Sequence, residues 1–497
     1  MDRHGPEAGC CAVGLDVGTA NACVATASGG AVAIVPDGGG ERVTPAVAAP
    51  GADGALLTGT AALQAGGPIA VGFKRLLGAT VESPAAEAAV AAPLPLPLAP
   101  VAGGGLGLRL GARVLTPVQL YAALVRDLCG RAEVQLQAPV TQAVLTVPGW
   151  FDPAARRAVI EAARLAGLDR CALCSEAAAT ALAYAVHRKL DAARFAVVAW
   201  GAGGLDVAIV RTMGGVCEVL GAAGLPVGGD DVVAAVAAGL VEEARRRGLG
   251  MPPPEVALGP LRAAAAAAIA ALVEAPITSV DVTLGPERLQ HDLSRAYLEG
   301  LARPLVSRFD DVCQAALDQA GVVCDRLDAV VLAGGFTRMP AVEGRVRVTM
   351  QRPLTRFNTG EVTAAGAATL AAIATGEIES ALLIETVTQP VMLRLEGGPR
   401  QALIPARAAL PARATRVFAT SRDRQEALTL ELAQGDGRPL RLAVSDLPPA
   451  PAGATRVQLD VTLTTDGLLA VEARDTRSGR PLPLTTPAAP APAPEAR

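Results

Sequence analysis

Apolar residues near the start of the chain come in short blocks separated by turn residues. Val13-Gly14-Leu15-Asp16-Val17 and Cys23-Val24-Ala25-Thr26 fall within residues 11–35 and predict two or three strands. Val71 to Gly78 predicts a short helical turn, and the Ala/Pro-rich residues 79–104, which lack a period, predict an irregular loop. The spacing then becomes helical. Thr116-Pro117 opens a helix to about Arg131, since threonine caps the first amides and proline suits the first position. Gln142 to Val147 is a strand that Pro148 ends, Asp152-Pro153 starts a helix over 153–166, and Ser175-Glu176 leads into another through about Lys189.

The order then repeats. A strand at Phe195–Ala199 meets Gly201-Ala202-Gly203-Gly204, and strands Asp206–Thr212 and Val216–Ala222 follow. Gly228-Gly229-Asp230-Asp231 opens a helix to about Gly248. An alanine-rich helix covers Leu261–Val273, a strand covers Ser279–Leu284, and residues 290–319 read as helices. A third strand runs into glycine at Asp328–Gly335, and a helix over 363–374 stops at Gly376. Two similar α/β halves, each with a hairpin at a central cleft, are the picture. After residue 386 the period falls to two, and six strands between Val391 and Ala473 predict an all-β domain. The boundaries are a flexible start at 1–10, lobes over 11–190 and 194–376, a linker at 377–385, a sandwich at 386–480 and a disordered Pro/Ala tail at 481–497.

Composition narrows the function classes. With 44 basic and 48 acidic residues the net charge is −4, which gives nucleic acid no electrostatic footing as a partner. Lysine occurs only at Lys74 and Lys189. Nine cysteines in 497 residues do not make a disulfide framework. Cys171-x-x-Cys174 is either a redox pair or, the favoured reading, two small buried residues near a strand end. The apolar stretch Ala88–Gly103 carries four prolines and makes a poor membrane span, and no signal-peptide pattern precedes the first strand. The expected location is cytoplasmic, without membrane contact.

The first hairpin carries the candidate chemistry. Gly18 lets the backbone approach an anion, Thr19 offers a hydroxyl, and Asp16 could hold a metal-bound water. Such a turn is a weak signal alone. It gains weight because strand-to-glycine junctions recur at Gly201–Gly204 and Gly334-Gly335.

With these motifs the chain resembles the heat-shock 70 chaperone family over about residues 11–478, bacterial members included. The resemblance implies an α/β actin-like (ribonuclease H-like) two-lobed ATPase domain, an apolar linker, and an all-β sandwich that binds extended peptides. It implies catalytic roles for Lys74, Asp16, Glu176 and, more weakly, Asp206, with no residue ligating metal directly. Nucleotide contacts are implied at Gly18, Thr19, Gly203, Gly204, Gly228, Gly229, Gly334, Gly335 and Arg338. Peptide-groove positions fall on Leu393, Phe418 and Leu428, whose bland reading is sandwich core. Interdomain signalling falls on Pro148, Leu382, Leu383 and Glu385. Implied cofactors are ATP or ADP with Mg2+. Implied partners are unfolded or extended apolar peptides, a J-domain cochaperone and a nucleotide exchange factor.

The chain also departs from the family pattern. The first aspartate of the second phosphate loop is Ala199, its threonine is Gly204, and Trp200 and Ala202 are expected to add bulk beside the phosphates. The nucleoside helix, polar in the family, shows Ala266, Ile269, Ala270 and Val273. Phe336 replaces a serine, Gly360 an aspartate, Ala177 a proline, and Glu396 an apolar groove residue. No helical lid follows the sandwich, which predicts fast peptide release. The expectation is a chaperone-like protein with a degenerate nucleotide site and weak or absent ATP binding and hydrolysis. The alternatives are a nucleotide-independent scaffold of the same fold and an ordinary ATP-dependent folding chaperone.

Overall fold

A computed structural model describes residues 11–486, apart from 53, 66, 93–96, 358–359, 396–397 and 436–438. The readings of residues 1–10, 487–497 and Glu396 lie outside the described residues. The chain divides into two units, residues 1–384 and 385–497.

The first unit holds the same sheet twice. In the first lobe, β1 (Cys11–Val17), β2 (Asn21–Ser28) and β3 (Ala31–Ile34) form an antiparallel meander, and β4 (Val140–Val147) and β5 (Arg170–Ser175) extend it in parallel, in the order β5-β4-β1-β2-β3. In the second lobe, β6 (Ala192–Trp200), β7 (Leu205–Met213), β8 (Val216–Leu225), β9 (Ala329–Ala333) and β10 (Leu354–Arg356) repeat it as β10-β9-β6-β7-β8. One further strand, β11 (Leu382–Ile384), lies parallel to β8 at its outer edge. Three residues of the expected linker therefore belong to the second lobe's sheet.

Side chains fix the helix starts in the first lobe. Thr116 and Gln119 form a capping box at α1 (Pro117–Leu136), Asp152 caps α2 (Pro153–Leu165), and Ser175 caps α3 (Glu176–Arg188). The second lobe contributes α4 (Gly229–Arg246), α5 (Pro254–Glu274) and, after its last core strand, α6 (Val362–Thr375). Helices α3 and α6 cross between the lobes. α6 lays Ala364 and Ala368 on Cys23 and Ala25 of the first sheet, and α3 packs Ala178 to Leu182 toward Val197 and Ala208 of the second. The helices touch at Gly366, where a Cβ would overlap the Ala179 carbonyl. Gly221 makes the same kind of close approach in the second lobe: its Cβ would lie 2.5 Å from the Ala320 nitrogen of the helix Phe309–Ala320.

Several expectations are corrected. Residues 79–104 are not a plain loop: Ser83 caps a helix at Pro84–Ala91, and a strand covers Leu98–Val101. Residues 287–294 form the second strand of a hairpin with Ile277–Leu284, and the helices start only at Arg295. Cys171 packs into the first lobe's core while Cys174 joins the interlobe cluster, so the two thiols lie on opposite faces of β5. Helix Val256–Glu274 is long and apolar enough to cross a membrane by length and composition, and a third of it is buried inside the unit.

The second unit is a sandwich. Strands β12 (Val391–Leu395), β13 (Gln401–Ile404), β15 (Leu428–Gln434), β16 (Leu440–Val444) and β20 (Leu484–Thr485) form one sheet, β13-β12-β15-β16-β20. The other sheet is β14 (Ala412–Ala419), β17 (Arg456–Leu463), β18 (Leu469–Asp475) and β19 (Pro481–Leu482), in that order. Strand β16 is absent from the sequence reading. Residues 481–485, expected in a disordered tail, instead pair with β18 and β16, because Leu482 buries its side chain in the core.

Candidate functional site

The two hairpin turns meet at the cleft between the lobes. In the first, the Gly18 amide donates to the Asn21 carbonyl at 2.8 Å, which tightens the turn and carries Thr19 outward. Gly203 of the second turn faces it, and a Cβ there would overlap the Thr19 hydroxyl. Gly203 thus gives the close backbone approach that a phosphate cradle needs. Gly204 lies beside the Trp150 indole and Gly201 closes its turn by donating to Gly204 at 3.0 Å.

Below the turns four charged groups gather from distant parts of the chain. Lys74, on a 3-10 turn over Phe73–Leu76, is 2% exposed and donates to Glu176 at 2.7 Å. Glu176 is the first residue of α3, where helix amides favour negative charge. Asp16 ends β1 and accepts a hydrogen bond from the Thr146 hydroxyl at 2.8 Å. Asp206 on β7 is buried and accepts one from the Gly149 amide at 3.0 Å. Three carboxylates share one lysine. Burial, and then the nearby Glu176 charge, raise the Asp16 pKa to about 6. The same two causes push Asp206 well above the ordinary carboxylate range. Such a cluster is short of positive charge. No group of three His, Cys, Asp or Glu side chains able to hold a metal directly occurs among the described residues, so the acids suit a cation that keeps its water, as Mg2+ does.

Ala199 lies directly opposite Asp206 across the β6–β7 pair, on the same face. A carboxylate there would have been a fourth acid; its methyl group cannot hold a cation's water. Trp200 does not crowd the phosphates, which corrects the expectation. It is fully buried, donates its indole N–H to the Val227 carbonyl at 2.9 Å, and stacks on Phe309 at 5.8 Å. Phe336 is buried edge-on to Trp200 at 5.4 Å and lies against Gly229. Of the remaining residues, Gly228 starts α4 and packs on the Gly201 and Ala202 carbonyls, which accept the Gly229 and Asp230 amides at 3.0 and 2.9 Å. Gly334 packs on the Trp200 backbone, while Gly335 and Arg338 are exposed.

Several residues of the cleft escaped the sequence reading. Thr146 and the Gly149 amide orient the two aspartates. Arg75 of the first lobe pairs with Asp231 of the second at 2.8 Å and donates to the Pro226 carbonyl, fastening the lobes across the cleft. Thr146 sits one residue before the strand end at Val147-Pro148, a signal that was available; the Arg75–Asp231 pair, 156 residues apart, left none.

Of the remaining candidates, Pro148 lies beside the charge cluster, and the others lie at the edge of the second lobe's sheet or on the sandwich. Pro148 is buried and accepts the Phe151 amide at 3.1 Å. Leu382 and Leu383 lie in β11, and the Glu385 carbonyl accepts the Leu410 amide at 2.9 Å within the second unit. Leu393 is sandwich core at 6% exposed. Phe418 and Leu428 are half-buried, and Phe418 sits on β14, an edge strand with Val417 exposed beside it.

Comparison with known proteins agrees with this architecture. The family model described as "Hsp70 protein" matches residues 12–489. Two proteins named "Chaperone protein DnaK", from two strains of Thermus thermophilus, are each 32% identical over 498 aligned residues, covering 95% of this chain and 80% of the relative. Two lobes on one repeated strand order, three glycine turns, a sandwich later in the chain and a family match across nearly all of it leave one conclusion: the chain belongs to the Hsp70 family, with that family's actin-like two-lobed domain and β-sandwich.

Proposed function

We propose that this protein is a chaperone that holds extended apolar peptide segments on its sandwich, and that its cleft is a degenerate nucleotide site with weak or absent ATP hydrolysis. Ala199 carries the second half. The cleft keeps Lys74, Asp16, Glu176 and Asp206, yet the position opposite Asp206 lacks the carboxylate that would orient a hydrated cation or take a proton from water. Bound Mg2+ would neutralise charge between phosphates; Asp16, Asp206 and Glu176 would hold its water, and Lys74 would face the terminal phosphate. For the peptide, the edge strand β14 offers backbone groups on its open side, and half-buried Phe418 and Leu428 offer apolar side chains. A J-domain cochaperone, a nucleotide exchange factor and a cytoplasmic setting go with this reading.

Two measurements on the full chain test it. Calorimetric titration of ATP and ADP with Mg2+, with phosphate release followed on the same sample, should give no phosphate above background. Sustained turnover overturns the degenerate-site reading. Fluorescence anisotropy with a labelled extended apolar peptide should show saturable binding that Phe418→Ala weakens; an unaffected isotherm removes the groove assignment.

A further inference from the structure

We infer that the cleft recognises the Mg2+–triphosphate group itself and is indifferent to the base attached to it, so that its ligand class is any magnesium-bound triphosphate, nucleoside or inorganic. This rests on reading the cleft as a degenerate nucleotide site, and it names what the degenerate site still selects.

The two ends of the cleft differ in chemistry. At the phosphate end, Thr19 and Gly203 meet with no Cβ between them, and Lys74 and three carboxylates lie below. These groups suit a polyanion carrying a hydrated cation. The other end is built on α5. Gly259 of that helix packs on Ile69 of the first lobe, where a Cβ would lie 3.2 Å from the isoleucine. Arg262, one turn on, is paired with Asp230 at the start of α4, and Gly72 of the first lobe faces the same carboxylate. The 259–262 face therefore looks across the cleft. Residues three and four apart on a helix share a face, so Ala266, Ile269, Ala270 and Val273 continue it. None has a side-chain donor or acceptor, and the guanidinium of Arg262 is already engaged. Phe336 is buried between Trp200 and Gly229 and offers no polar group either.

Bases are told apart by hydrogen bonds to their edges, and a site that offers none cannot reject the wrong one. Exposed Arg338 does not restore selectivity, because a guanidinium stacks on any π face.

The test is calorimetry on the full chain with Mg2+ and, in turn, ATP, GTP, inorganic tripolyphosphate and adenosine. The three triphosphates should bind within about threefold of one another, and adenosine should give no heat. ATP tighter than both others by tenfold or more, or saturable adenosine binding, overturns the inference. So does the absence of binding by every triphosphate, which leaves the degenerate-site reading in its strictest form. Turnover of bound ATP with equal affinities does the reverse: it overturns that reading and leaves base indifference standing. Thr19→Ala, which cannot clash, should weaken all three triphosphates alike. Ala266→Glu combined with Val273→Ser should raise the preference for ATP over tripolyphosphate about tenfold by returning polar groups to the α5 face. An unchanged ratio means that this face does not reach the ligand, and the inference fails.

Discussion

The two lobes share one strand order, but they treat their shared cleft differently. Asp16 is the last residue but one of β1, and Ala199 holds the same place in β6; opposite them across each hairpin stand Cys23 and Asp206. Each hairpin thus carries one carboxylate, on the outgoing strand in the first lobe and on the returning strand in the second. The first lobe adds Lys74, Glu176 and Thr146, whereas the second adds residues 266–273 of α5, which carry no side-chain donor or acceptor. The sheets need apolar alternation and close helix contacts, and both lobes supply them. Groups in the cleft contribute little to that packing and often oppose it, as the raised aspartate pKa values show. A lobe can therefore lose its chemistry and keep its fold.

Four experiments press on this contrast. The largest effect should come where the lobes are alike. Gly14→Val on β1 and Gly221→Val on β8 each drive a side chain into helix backbone, and each should cost upwards of about 3 kcal/mol in urea denaturation. A large loss at one site alone would mean that the lobes are not equivalent scaffolds. Next is Asp16→Asn. The fold raises the Asp16 pKa from 3.8 to about 6, so the folded state holds the proton more tightly, and this group's contribution falls as pH rises through that window. The variant should gain roughly 2 kcal/mol over the parent at pH 7 without Mg2+, and nothing below pH 4. An equal gain at both pH values removes the charge explanation. Third, Ala199→Asp makes the second lobe resemble the first in its outgoing strand. Single-turnover phosphate release from Mg-ATP, at background in the parent, should rise to about ten times that background, and no change would place the block elsewhere in the cleft. The smallest effect is confined to packing: Thr116→Ala removes the capping box of α1 and should cost about 1 kcal/mol by thermal melting while triphosphate affinity stays fixed.

The repeat of strand, glycine turn and strand was legible because a hairpin needs an apolar run and a residue free of steric limits in close succession, and both leave marks in the chain. The charge cluster was legible only through family resemblance: Lys74 and Glu176 are 102 residues apart, and no spacing joins them. Trp200 was misplaced although its direction follows from strand parity. Ala199 shares a face with Asp206, so its neighbour must point the other way, into the core of the second lobe. The hairpin at 277–294 was missed because Leu289 and Leu293 are four apart with polar Gln290, His291 and Asp292 between them, a spacing that suits a helix as well as a strand. Strand β16 is five residues long and pairs with a segment that reads as tail, so its partner was hidden along with it.

Only two tryptophans occur in the chain, and their surroundings make them optically distinct. Trp200 is sealed among Phe309, Phe336 and the β-sheet, so its emission should stay blue and steady while the second lobe is folded. Trp150 lies against Gly204 and Gly224 beside Asp206, and its indole N–H has no hydrogen-bond partner among the described residues. The intrinsic fluorescence of this protein therefore has a constant component and one seated beside the cleft's charge, which makes an unlabelled sample its own reporter of occupancy.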